Sequence, residues 1–154
     1  MFIRQAVKRD VPFVFRLQQR MSEEDGIYGF AAETVEYIEK AINPYFLIAE
    51  TEEQIIGFIN GDVCLSDGLA VVPKDEKYLE IENLYVATEF RKQGVGGRLV
   101  DEVLIRARKD GASYATLYSS VKNLRGILRF YERHGFQSWS VEMFQKLSPG
   151  EKSF

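Results

Sequence analysis

Residues 78–111, YLEIENLYVATEFRKQGVGGRLVDEVLIRARKDG, constrain the fold more than any other part of the chain. They read as a strand, a short turn and a glycine-rich entry into a helix. Residues 78–86 carry Leu79, Ile81, Leu84, Tyr85 and Val86, apolar on both sides of the two-residue alternation. That predicts a central strand covered on both faces. Glu80, Glu82 and Asn83 interrupt it. Strict alternation puts Glu80 and Glu82 on the face of Leu84 and Val86, so covering that face partly buries two carboxylates and raises their hold on a proton. In the helix, Val95, Leu99, Val100, Val103, Leu104 and Ala107 form one apolar stripe. Arg106, Arg108 and Lys109 crowd its last turn, and Gly111 stands where a left-handed cap belongs.

The first turn of that helix is the unusual part, because it holds Gly94, Gly96 and Gly97. Each glycine costs about 1 kcal/mol relative to alanine inside a helix. Access is the return: without side chains, the first main-chain N–H groups can touch a ligand. Those unpaired donors and the positive helix end favour an anion, typically phosphate. Arg91, Lys92 and Arg98 add positive charge around it. The plain alternative is a flexible turn before an ordinary amphipathic helix. A dinucleotide fingerprint needs a third glycine that is missing here, and a P-loop needs a Gly-Lys-Ser/Thr run that is absent.

Composition narrows the setting. A chain of 154 residues suits one domain, taken as residues 1–147 with a tail at 148–154. An apolar share of 45% and a charged share of 28% are those of a soluble globular protein. A net charge of −3 argues against a basic nucleic-acid-binding surface. No apolar run reaches the roughly 18 residues of a membrane span, and MFIRQAVKRD lacks a signal-peptide core. The single cysteine, Cys64, excludes an internal disulfide and a zinc cluster, so no metal is expected and Cys64 reads as core. A cytosolic protein with no nucleic-acid or membrane partner is the expectation.

In order, the chain predicts a strand at 2–7, a helix from Asp10 with Pro12 in its first turn, and a loop at 22–32. A second helix at 32–42 ends at Asn43-Pro44. Strands at 45–51 and 54–65 read as a hairpin, the second with Gly57 and Gly61 as bulge positions. After a loop at 66–75 come the strand and helix described above. A strand at 113–121, a helix at 123–134 capped by Gly135, and a last alternating strand at 136–147 complete the chain. The fold class is α+β, in three layers.

The run Arg91-Lys92-Gln93-Gly94-Val95-Gly96, directly after Leu84-Tyr85-Val86, is similar to the acyl-CoA-binding motif of the GNAT acetyltransferase superfamily. The order of elements over residues 1–147 is also that of the GNAT fold. The resemblance implies a mixed, mostly antiparallel sheet splayed at the acetyl-CoA site, with helices on both faces. It implies acetyl-CoA as co-substrate, and direct transfer of acetyl to a primary amine in a ternary complex. The amine is expected on a small molecule such as a polyamine, amino acid or amino sugar; a protein N-terminus or lysine is the alternative. A non-catalytic acyl-CoA sensor or scaffold shares the same glycine-rich site.

Such a transfer needs a base near the amine, an acid near the departing sulfur and a donor for the carbonyl oxygen. For the base, the resemblance points to Glu82, at the spacing of polyamine-type members, or to Glu80, at that of histone-type members. Solvated strand residues are the bland reading of both. For the acid it points to Tyr131, four residues before the Gly135-Phe136 pair, although Tyr131 also lies on an apolar stripe. Main chain at Leu84, Tyr85 and Val86 would pair with the pantetheine arm, and the Val86 N–H would face the thioester oxygen. The pyrophosphate would rest on the amides of Gln93, Gly94, Val95, Gly96, Gly97 and Arg98, helped by Arg91 and Lys92. Asn123 resembles the family asparagine that contacts pantetheine, at a spacing to Tyr131 of eight residues rather than seven; a helix N-cap is its other reading. His134 reads as a solvated residue near a helix end, and Glu23, Glu24 and Asp25 as a solvated acidic turn. Trp139 reads as packing of the last strand, which with Phe144 also offers a homodimer interface.

Overall fold

The computed structural model describes residues 1–149. Five strands form one sheet in the order β1-β2-β3-β4-β5: β1 Phe2–Gln5, β2 Leu47–Glu50, β3 Ile55–Leu65, β4 Lys77–Val86 and β5 Tyr114–Leu117. The first four pair antiparallel, and β5 pairs parallel with β4. The helices are α1 Val11–Glu23, α2 Val35–Lys40, α3 Val95–Lys109 and α4 Leu124–Glu132. The three-layer α+β architecture follows from how they cover the sheet. Val14, Leu17 and Met21 of α1 and Ile38 of α2 pack on Phe46, Ile48, Phe58 and Tyr85. Leu99, Val100 and Val103 of α3 pack on Leu47, Ile59, Leu79 and Ile81 of the opposite face, with Phe130 and Tyr131 of α4 at that cluster's edge. Leu99, Val100 and Val103 have no exposed surface. Burying each contributes about 1.5–3 kcal/mol, which offsets the weak glycine-rich first turn of α3. No helix among the described residues is long and apolar enough to cross a membrane.

The join between β3 and β4 departs from simple alternation. Asn60 pairs with Asn83 and Gly61 with Ile81, so Glu82 is an extra residue on β4. This bulge exchanges the faces of the strand. Before it, Leu79 and Ile81 face α3; after it, Leu84 and Val86 do, while Tyr85 joins the α1 side. The expectation that Glu80 shares a face with Leu84 and Val86 is therefore overturned. Gly61 makes the bulge possible: a Cβ there would lie 3.1 Å from Ile81 Cα and closer still to the Glu80 carbonyl oxygen.

Other expectations shrink or fail. The helix expected at 32–42 is only the six residues of α2, capped by the Thr34 hydroxyl, which accepts from the Tyr37 N–H at 3.1 Å. The strand expected at 113–121 is only β5. The strand expected at 136–147 is not formed: the segment has no regular structure. Trp139 is 55% exposed there rather than packed. Phe144 meets the Tyr28 ring edge-on at 5.7 Å between centroids. Asp10 does not cap α1 with its side chain; its buried carboxylate binds Arg4 at 2.7 and 2.9 Å and accepts from the Val7 N–H. Cys64 is half-buried.

Candidate active site

β4 and β5 pair only from Tyr78↔Tyr114 to Ile81↔Leu117. The pairing stops one residue before the bulge at Glu82, and from there the two strands part. On the other side of β4, the Ala87 N–H donates to Ile56 O at 2.9 Å. Antiparallel pairing alternates, so Leu84 and Val86 turn their main-chain N–H and C=O groups away from β3 and into the opening. The sequence places polar main chain in that opening at the positions assigned to a pantetheine arm. Val86 O is taken by the Arg91 Nε at 2.8 Å.

At one end of the opening lies the start of α3. Lys92 and Gly94 both take left-handed backbone, with φ of 60° and 81°. The turn they make directs successive amides outward. The first main-chain bonds of the helix come from Arg98 N to Gly94 O and beyond. Among the described residues, the N–H groups of Gln93, Gly94, Val95, Gly96 and Gly97 have no acceptor. Unpaired donors at a positive helix end form an anion site, so the residues present fit a pyrophosphate. Arg98 and Lys92 are exposed beside it and in no ion pair among the described residues. Arg91 is turned elsewhere: it clamps Glu24 at 2.8 Å and lies over the Tyr85 ring. Gly96 and Gly97 have a second reason to be glycine, because α4 packs on them. A Cβ at Gly96 would touch Phe130 at 3.5 Å, and one at Gly97 would press the His134 ring at 3.1 Å. His134 is therefore not a solvated end residue; it braces α3 and shares a 2.7 Å hydrogen bond with Asp101.

At the other end is a cleft lined by Glu82, Leu84, Phe30, Tyr118, Ile127 and Tyr131. Glu82 and Tyr131 thus face one space from different elements. Tyr131 packs edge-on against Phe130 and Phe136, at 5.0 and 5.5 Å between ring centroids, and its hydroxyl has no partner among the described residues. Burial pushes its phenol up to about 12, so it stays a proton donor at neutral pH. Glu82 is raised above the usual carboxylate value, first by desolvation and then by the nearby charge of Glu80. Its Oε2 accepts from Asn60 Nδ2 at 2.9 Å. Asn60 was not singled out from the sequence, though one signal pointed to it: a polar side chain inside the apolar run of β3, just ahead of Gly61. Asn123 caps α4, its Oδ1 accepting from the Gly126 N–H at 3.1 Å. A Cβ on Gly126 would lie 2.6 Å from the Asn123 Nδ2, which explains the glycine. Glu24 and Asp25 are not a free acidic turn. Glu24 holds Arg91 and Tyr85, and Asp25 holds Lys122.

A splayed parallel pair, a bared helix start and a carboxylate facing a phenol make a site that can seat a phosphorylated thioester beside an amine. Comparison with known proteins shows the family. An uncharacterized N-acetyltransferase of Methanocaldococcus jannaschii is 29% identical over 96 residues, covering 62% of this chain and 40% of that protein. N-acetyltransferase 8 of Homo sapiens is 31% identical over 99 residues, covering 64% of this chain and 41% of that one. The match thus spans about two fifths of the length of these relatives. An aminoglycoside N-acetyltransferase solved in complex with CoA superposes with a TM-score of 0.67 at 18% identity, over 96% of this chain and 100% of that one. Residues 12–136 match the acetyltransferase (GNAT) family, a stretch that takes in the bulged strand, the glycine turn and α4, and the chain belongs to that family.

Proposed function

We propose that the protein transfers acetyl from acetyl-CoA to a primary amine of a small molecule, by direct attack in a ternary complex. One observation carries the reading: Glu82 and Tyr131 border the same cleft at the point where β4 and β5 part. An amine of pKa about 10.4 costs about 4–5 kcal/mol to deprotonate at pH 7. Glu82, raised by its surroundings, takes that proton directly or through water. Tyr131 gives its proton to the departing sulfur. The Val86 N–H faces the carbonyl oxygen, and the amides of 93–97 hold the diphosphate. The thioester supplies the activated acetyl group. The aminoglycoside acetyltransferase among the structural neighbours supports a small-molecule amine.

Thiol release with a panel of amines tests this. Turnover of any amine, reduced about a hundredfold or more in Glu82→Gln or Tyr131→Phe, is the expected result. Tight CoA binding with no turnover across the panel would instead indicate a sensor or scaffold.

We also propose that two copies exchange the segment 137–147. Trp139, Val141 and Met143 alternate along it and are 55%, 69% and 91% exposed, while β5 ends the sheet. Each copy thus offers an exposed alternating segment and, at β5, an edge that could pair with one. Light scattering gives a dimer mass if this holds, and a monomer mass at all concentrations if it does not.

A further inference from the structure

Glu82 is the extra residue of the bulge, so no residue of β3 stands opposite it to fix its direction. Its side chain is exposed and rich in rotamers, and left alone it would sample many of them. A base that wanders is a poor base, because a small misplacement from the reacting nitrogen lowers the rate steeply. One contact holds it: Asn60 Nδ2 donates to Glu82 Oε2 at 2.9 Å. Glu82 Oε1 has no hydrogen-bond partner among the described residues and is left for the amine proton.

Asn60 itself cannot wander. Alternation on β3 puts it on the face of Phe58, which α1 and α2 cover, and it is 5% exposed. Its pair across the sheet, Asn83, lines the cleft next to Glu82. The amide stands there against stability. Its Oδ1 is buried with no partner among the described residues, and an acceptor left so is unfavourable. To that face the sheet otherwise contributes Phe46, Ile48, Phe58 and Tyr85. A leucine, branched at the same atom, would remove the orphan acceptor, so packing gives no reason for an amide here. What the amide adds is the N–H toward Glu82.

We propose that Asn60 is a positioning residue for the transfer: its buried amide pins one oxygen of Glu82 so that the other meets the reacting nitrogen. The inference rests on the reading of the site as an amine acetyltransferase. Desolvation and the charges of Glu80 on β4, Asp62 on β3 and Glu33 ahead of α2 raise Glu82, and the Asn60 hydrogen bond opposes them. Those groups, and Tyr37 of α2, which feels the Glu82 charge, stay in place when Asn60 is changed. Losing the N–H therefore leaves Glu82 holding its proton more tightly, and the pH at which its base form is lost rises.

The test compares Asn60→Leu, and Asn60→Asp, which keeps the shape of the side chain, with the parent. Thiol release from acetyl-CoA is followed with spermidine, free lysine and glucosamine as acceptors. On the pH plateau, kcat in Asn60→Leu falls about tenfold or more, while KM for acetyl-CoA and the melting temperature hold. The acidic limb of kcat/KM moves to higher pH in Asn60→Leu, and further in Asn60→Asp, which sets a carboxylate against Glu82. A carbon NMR titration of the Glu82 carboxylate, identified by its loss in Glu82→Gln, shows the same order without any acceptor. A purely structural role predicts the reverse: a lower melting temperature in Asn60→Leu, with the limb and the titration unmoved. That result overturns the inference, as does an unchanged kcat, and both leave the amine acetyltransferase reading standing. No turnover of any of the three amines by the parent, with CoA still bound, sinks that underlying reading instead.

Discussion

Gly61→Ala is the substitution that probes the bulge most sharply. The added Cβ would lie 3.1 Å from Ile81 Cα and 3.2 Å from the Glu80 carbonyl carbon, closer to its oxygen than real Cβ atoms come. All three atoms belong to the main chain of β4, so no side chain can rotate away. The strands must separate where Asn60 pairs with Asn83 and Gly61 with Ile81, at the cost of those pairings. Overpacking of this kind costs roughly 3 kcal/mol. For a chain of 154 residues that is a fall in Tm of roughly 6–12 °C. Differential scanning calorimetry measures it, with Gly26→Ala as control, because a Cβ there meets nothing within 4 Å. The same separation moves Glu82 off Asn60, so kcat falls while KM for acetyl-CoA holds. A Gly61→Ala protein that melts within about 2 °C of the parent refutes the reasoning, since the bulge would then tolerate a side chain.

Three further outcomes follow from the geometry. Glu82 is held above its ordinary value of 4.5, so its base form is lost as pH falls through that raised value; kcat/KM should show an acidic limb above pH 4.5 that Glu82→Gln abolishes and Glu80→Gln keeps. Burial works to raise Asp10, but the Arg4 and Val7 hydrogen bonds outweigh it and hold the carboxyl below its ordinary value. Its stabilisation is therefore present above the unfolded pKa of about 3.9 and lost as pH falls through the depressed value. Asp10→Asn should cost about 3 kcal/mol at pH 7 in urea unfolding, with the deficit shrinking toward pH 2. Gly97→Ala presses the His134 ring, which Asp101 holds in place; it should cost about 1 kcal/mol and weaken CoA binding severalfold by calorimetric titration.

The sheet and the α3 stripe were legible because their signals are local. Val95, Leu99, Val100 and Val103 fall on one helical face, and each is buried as that spacing requires. The glycine turn was legible for the same reason, since its oddity lies in consecutive residues. The bulge was not. Whether Glu82 is an extra residue depends on how β3 lines up against β4, and period-2 reading carries parity straight through the fault. Glu24 and Asp25 read as solvated because their partners, Arg91 and Lys122, are 67 and 97 residues away. His134 misled for a similar reason: its neighbours Gly97 and Asp101 lie on another helix. The last segment alternates as a strand should, yet among the described residues it forms no strand beside a sheet that ends at β5, because alternation alone does not bring a strand to an edge.

A crystal structure with CoA bound is the most direct test of all. The account predicts the diphosphate on the main-chain N–H groups of 93–97, the pantetheine along Leu84 and Val86, and the sulfur at the cleft shared by Glu82 and Tyr131. A diphosphate bound away from the start of α3, or a sulfur remote from that cleft, would contradict it.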